Sequence, residues 1–156
     1  MPKVLMPIAS LSAALVFAFS SLPVLAAPAS PKSVGMQLSA TLSGANEVDE
    51  QGVGNKGDQD GTGAFSGRLV PSKGQLCYTL TWSDIDAPTM AHIHMAPAGK
   101  NGPVVVPLPE LTPGEHCTDL DRTKTKALLG RPKNFYVNVH NPAFPAGAVR
   151  GQLAKK

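Results

Sequence analysis

The chain has 156 residues, a net charge of +3 and only 5% aromatic residues; its lysines and arginines are scattered and no nucleic-acid motif is present, which excludes a nucleic-acid partner. Beyond the first 26 residues no apolar stretch is long enough to span a bilayer, so no membrane span is expected there. The 130 residues that follow are the size of one ordinary domain.

Residues 1–26 have the form of a signal peptide. Lys3 gives a short positive start, "VLMPIASLSAALVFAF" is the apolar middle, and Val24 and Ala26 occupy the small-residue positions before a cut between Ala26 and Ala27. Pro7 and several serines interrupt the run, no charged stop-transfer pattern follows, and no cysteine stands at the cut to accept lipid. Cleavage would remove Lys3 and take the net charge to +2. The expected location is therefore exported, periplasmic or extracellular.

Residues 27–34, rich in Pro, Ser and Ala, are expected to be a flexible lead-in to a domain spanning 35–156. Short alternating runs then predict seven strands, at 36–42, 63–70, 75–82, 91–95, 103–108, 134–140 and 148–153. Clusters of Pro, Gly, Asn and Asp separate them, as in "VPSKG", "APAGKNG" and "NPAFPAG". This rhythm suggests an antiparallel sandwich or barrel. The segment 43–63 is too polar and glycine-rich to be buried and is expected to be a long surface loop. Its Asp58-x-Asp60-Gly61 fragment is similar to a calcium loop but lacks the later bidentate glutamate. "DLDRTKTKALLG" (119–130) predicts one short helix, capped by Asp119 or Asp121 and ended by Gly130 and Pro132. Two cysteines in an exported chain predict a Cys77–Cys117 disulfide closing a loop of about 41 residues.

Strand alternation places three histidines together on one side. With Phe135, Val137 and Val139 in the core, Tyr136, Asn138 and His140 face away from it. His92 and His94 likewise oppose Ile93, and Arg150 opposes Val149. If the three strands are adjacent, His92, His94 and His140 can converge on one copper or zinc ion, with Met90 or Met95 as a soft additional ligand. The competing reading is a hydrogen-bonded structural network with the neighbouring turns. Arg150 argues against a cation nearby and for an anion or hydrogen-bond partner, with Asn138 beside it. His116, next to Cys117, is expected on the surface.

The stretches "LSGANEV" (42–48), "GTGAF" (61–65), "LCYTLTW" (76–82), "AHIHMAPAGKNGPVVVPL" (91–108) and "NFYVNVHNPAFPAGAVRGQL" (134–153) together resemble the CHRD domain, the repeated domain of chordin. The departure is after "NEV", where "DEQ" and a longer acidic, glycine-rich loop replace the family's prolines. The resemblance implies an all-β antiparallel sandwich like that of immunoglobulins and copper/zinc superoxide dismutase. It implies no settled activity, and four histidines are too few for a dismutase of the usual kind. No G-x-S-x-G elbow, phosphate-binding glycine loop or H-E-x-x-H is present. The expected function is binding of a protein or envelope partner, or envelope structure, without catalysis. A copper- or zinc-binding protein using the histidine cluster is the alternative, and a metal-dependent oxidoreductase a further one.

Overall fold

The computed structural model describes residues 35–156; the expected leader and lead-in lie outside the described residues. Nine strands form one antiparallel sheet that curls into a nearly closed, sandwich-like barrel. In chain order they are β1 (Met36–Ser43), β2 (Thr62–Val70), β3 (Gln75–Ser83), β4 (Met90–Met95), β5 (Val104–Pro107), β6 (His116–Asp119), β7 (Phe135–His140), β8 (Val149–Gln152) and β9 (Ala154–Lys155). Their order across the sheet is β5-β4-β7-β8-β1-β2-β3-β6, with β9 also paired to β1. Each of the seven expected strands is present.

Period-two alternation fills the interior. Leu38, Ala40 and Leu42 from β1, Phe65 and Leu69 from β2, and Leu76, Tyr78 and Leu80 from β3 are buried on one side. Ile93, Val137, Val139 and Val149 meet them from the other half, in a single cluster. Truncating a residue such as Leu38 or Ile93 to Ala would cost about 2–5 kcal/mol.

The two strands not foreseen are short. β6 carries only four residues, but it pairs Cys117 directly with Cys77 on β3, and the two form a disulfide. His116 on the same strand is half-buried rather than at the free surface, tilted against the Tyr78 ring at 6.1 Å. Helix α1 (Arg122–Gly130) begins where the sequence predicts it, with the Asp121 side chain accepting from the Lys124 amide. Leu128 and Thr125 are its buried face.

The 43–63 segment differs from expectation in one respect, the burial of part of it. It is the expected surface loop for most of its length, but it folds back on the sheet and buries part of itself: Lys56 N donates to Glu47 O, and Asp58 N donates to Ala148 O. Asp49 closes its tip by accepting from the amides of Gln51 and Val53. Glu47 and Val48 are consequently buried despite their polar surroundings in sequence.

Candidate functional site

Strands β4, β7 and β8 lie side by side, which satisfies the condition for their polar faces to meet. The register sets Met90 opposite His140, His92 opposite Asn138 and His94 opposite Tyr136. Asn138 in turn lies opposite Arg150 on β8. The face is not open to solvent, as outward-pointing residues would be. Tyr136, Asn138, His140 and Arg150 are all buried, because the 44–61, 96–103 and 141–148 loops close over them.

One ring nitrogen from each of His92, His94 and His140 lies within 4.8 Å of the others. Among the described residues no other three His, Cys, Asp or Glu donors gather in this way, so Asp58 and Asp60 acquire no third partner. Nδ1 of His94 faces the carbonyl of Gly102 at 2.9 Å, and Nδ1 of His140 faces that of Pro145 at 3.0 Å. A carbonyl can only accept, so each of these nitrogens carries the proton and each Nε2 is left as an acceptor. Nε2 of His140 is 3.4 Å from Nδ1 of His92. That separation matches the roughly 3.3–3.4 Å between two nitrogens that each lie about 2.0–2.1 Å from one tetrahedral ion. Nε2 of His94 is buried with no hydrogen-bond partner.

The other buried side-chain atoms without a partner, among the described residues, are Glu47 Oε2, Asn138 Oδ1 and Asn141 Nδ2. All belong to this cluster or its covering loops. The polar groups that the strands and loops leave unpaired by protein are thus gathered around the histidine face.

Arg150 organises the far side. Its guanidinium lies 3.4 Å from the centroid of the Tyr136 ring, and the His94 ring stacks on the same ring at 4.8 Å and an interplanar angle of 9°. Because β4 and β8 flank β7 on opposite sides, Tyr136 is held between the imidazole and the cation. Arg150 donates to Asn101 Oδ1 at 2.9 Å and to the carbonyl of Lys100. It also faces the Glu47 carboxylate at 3.8 Å. The loop it grips is the one that presents the Gly102 carbonyl to His94, so Arg150 fixes the orientation of His94 from two directions. The Asn138 amide donates to Ala146 O at 3.4 Å.

Electrostatics keep the imidazoles neutral. Burial lowers the pKa of all three; His140 and His94 lower His92 further, and His140 and Arg150 lower His94. Burial also lowers Arg150, against the pull of Tyr136 and Glu47. Glu47 is raised by burial, with Arg150 opposing. Neutral imidazoles at ordinary pH are the form that binds metal.

The two methionines part company. Met90 shares the face of His92 and His94, and lines a cleft of about 100 Å³ with His92, Pro107, Leu108 and Leu111. Met95 falls on the opposite face and lies against Lys126, Ala127 and Arg131 at the end of α1, so it does not join the cluster. Sequence reasoning missed Glu47 and Asn101, both in loops without periodicity, and took Tyr136 only as an outward residue. The ring's place beside His94 follows from strand register, which a single sequence does not display.

The sequence model of the CHRD domain matches residues 38–153, from within β1 to just past β8. No curated protein and no solved structure matches the chain.

Proposed function

The chain belongs to the CHRD domain family, and on that premise we propose that it is an exported binding domain whose His92, His94 and His140 hold one transition-metal ion, copper or zinc. The observation that carries the reading is the convergence of three neutral imidazoles within 4.8 Å, two of them with Nδ1 committed to a backbone carbonyl. A metal-binding histidine is commonly oriented in this way through its second nitrogen. Three nitrogens leave a fourth position for a further ligand. Export is supported by the leader-like first 26 residues and the Cys77–Cys117 bond, which suits an oxidising compartment. No described helix is long and apolar enough to cross a membrane.

The 3.4 Å contact between His92 and His140 also favours a second reading, in which the rings brace the loops and the domain serves a protein or envelope partner. Calorimetric titration of the protein with Cu(II) and Zn(II) separates the two. The metal reading predicts one equivalent bound at micromolar affinity or tighter, abolished in His92→Ala/His94→Ala while a cooperative thermal transition persists. Wild-type protein that takes up neither ion, with the double variant only less stable, would leave the bracing role alone.

A further inference from the structure

Resting on the metal reading above, we propose that the ion this site selects is monovalent copper, with the thioether of Met90 as a fourth, soft ligand to the three imidazoles. Charge is the first argument. The cluster offers only neutral nitrogens, without a carboxylate or thiolate among them. The nearby fixed charge is the buried guanidinium of Arg150, only 2% exposed, and it acts on His94 through Tyr136. Its counter-charge, Glu47, is turned toward Arg150 at 3.8 Å and is not one of the cluster's donors. A divalent ion brings twice the charge of a monovalent one into this field, with no anionic ligand to offset it. Zn(II) sites of high affinity usually include such ligands or recruit a hydroxide.

Met90 is the second argument. β4 alternation sends it to the same face as His92 and His94, and it lies directly across from His140. Opposed residues on adjacent strands have Cβ atoms about 4.5–5.5 Å apart, so the flexible thioether reaches the space beside the His140 ring. The side chain is nevertheless 49% exposed, one of four large apolar residues so exposed among the described residues. It contributes little to the core there, whereas a soft sulfur beside three imidazoles suits cuprous ion. The third argument is the surround of Met90. The cleft that it lines with His92 is walled by Pro107, Leu108, Pro109 and Leu111, an apolar surround that suits a weakly hydrated ion better than a strongly hydrated one.

Met95 supplies an internal control. It is as exposed as Met90, at 48%, but stands on the other face of the same strand. The test is competition for Cu(I) against a chromogenic cuprous chelator, anaerobically and in ascorbate, with mass spectrometry to check that Cys77–Cys117 remains closed. Wild type, Met90→Leu and Met95→Leu are compared, and Zn(II) affinity is measured on the same samples. The expected result is one Cu(I) per chain, bound at least a hundredfold tighter than Zn(II). Met90→Leu should weaken Cu(I) tenfold or more and leave Zn(II) unchanged, and Met95→Leu should alter neither. Equal affinity for the two ions, or a Met90→Leu protein that competes like wild type, would overturn the cuprous assignment while leaving a histidine metal site in place. Failure of wild type to bind either ion would overturn both.

Discussion

Arg150 is the most consequential single side chain outside the histidines. It is buried, carries charge, and joins three separate parts of the chain: Glu47, the Lys100–Asn101 turn and the Tyr136 ring. Removing one member of a buried ion pair leaves the other uncompensated, so Arg150→Met should lower stability by about 3–5 kcal/mol in urea unfolding. Metal affinity should fall with it, because the Gly102 carbonyl that sets the His94 tautomer is carried on the loop Arg150 holds. Gly147 is the second sensitive position. Its φ is +149°, and a Cβ there would run into Glu47 Oε2 and both amide atoms of Asn138. Gly147→Ala should cost about 1–3 kcal/mol from this crowding and the backbone strain, read as a lower thermal midpoint. The imidazoles make a pH prediction. Each is held below its ordinary value of 6.5, so the unfolded chain takes up protons that the folded one refuses as the pH falls below 6.5. Their contribution to stability is complete above that value and is lost toward lower pH. In chelator, the urea midpoint of wild type should therefore fall from pH 7.5 to 5.5 more steeply than that of His92→Ala/His94→Ala. Equal slopes would contradict the neutral, partly buried state of these rings.

At the scale of elements, alternation was readable wherever apolar residues marked it. "NFYVNVH" and "AHIHM" sorted their own faces, and the histidines went to the side that pattern assigns. What alternation does not reveal is that a second face is covered. β7 is buried on both sides because three loops fold over it, and loops carry no periodicity to read. "HCTD" was illegible as a strand for a related reason: four residues with one apolar member give no pattern, and β6 exists by pairing with β3 and by its cross-link. The disulfide, by contrast, was legible from the count of two cysteines and the compartment that the leader-like start leads one to expect. It joins an edge strand to the sheet across a sequence separation of 40. Reduction should lower stability by about 4 kcal/mol in the chain-entropy account. Because β6 pairs with β3 and not with β4, β7 or β8, the strands that carry the histidines and Arg150, reduced but folded protein should keep its metal affinity. A parallel loss of both would show that the sheet edge and the histidine face are coupled.

In the whole molecule, the apolar core and the histidine cluster lie on opposite sides of the same strands. Ile93, Val137 and Val149 pack inward, while His92, His94, Asn138, His140 and Arg150 lie under the loops. The sheet supplies rigid positions and the loops supply the carbonyls that set the tautomers, so the site can be emptied of its ligands without dismantling the core. The family match spans both halves of the arrangement, from within β1 to just past β8. The central claim is that His92, His94 and His140 act together on one ion, and the most direct measurement is nitrogen NMR of the histidine rings. Metal-free protein should show His94 and His140 with the proton on Nδ1. One equivalent of Cu(I) or Zn(II), both diamagnetic, should then shift Nε2 of His94 and His140 and one nitrogen of His92. His116, hydrogen-bonded to Thr112 and not one of the three clustered donors, should not move. Rings that keep their metal-free shifts after a full equivalent of either ion would contradict the account.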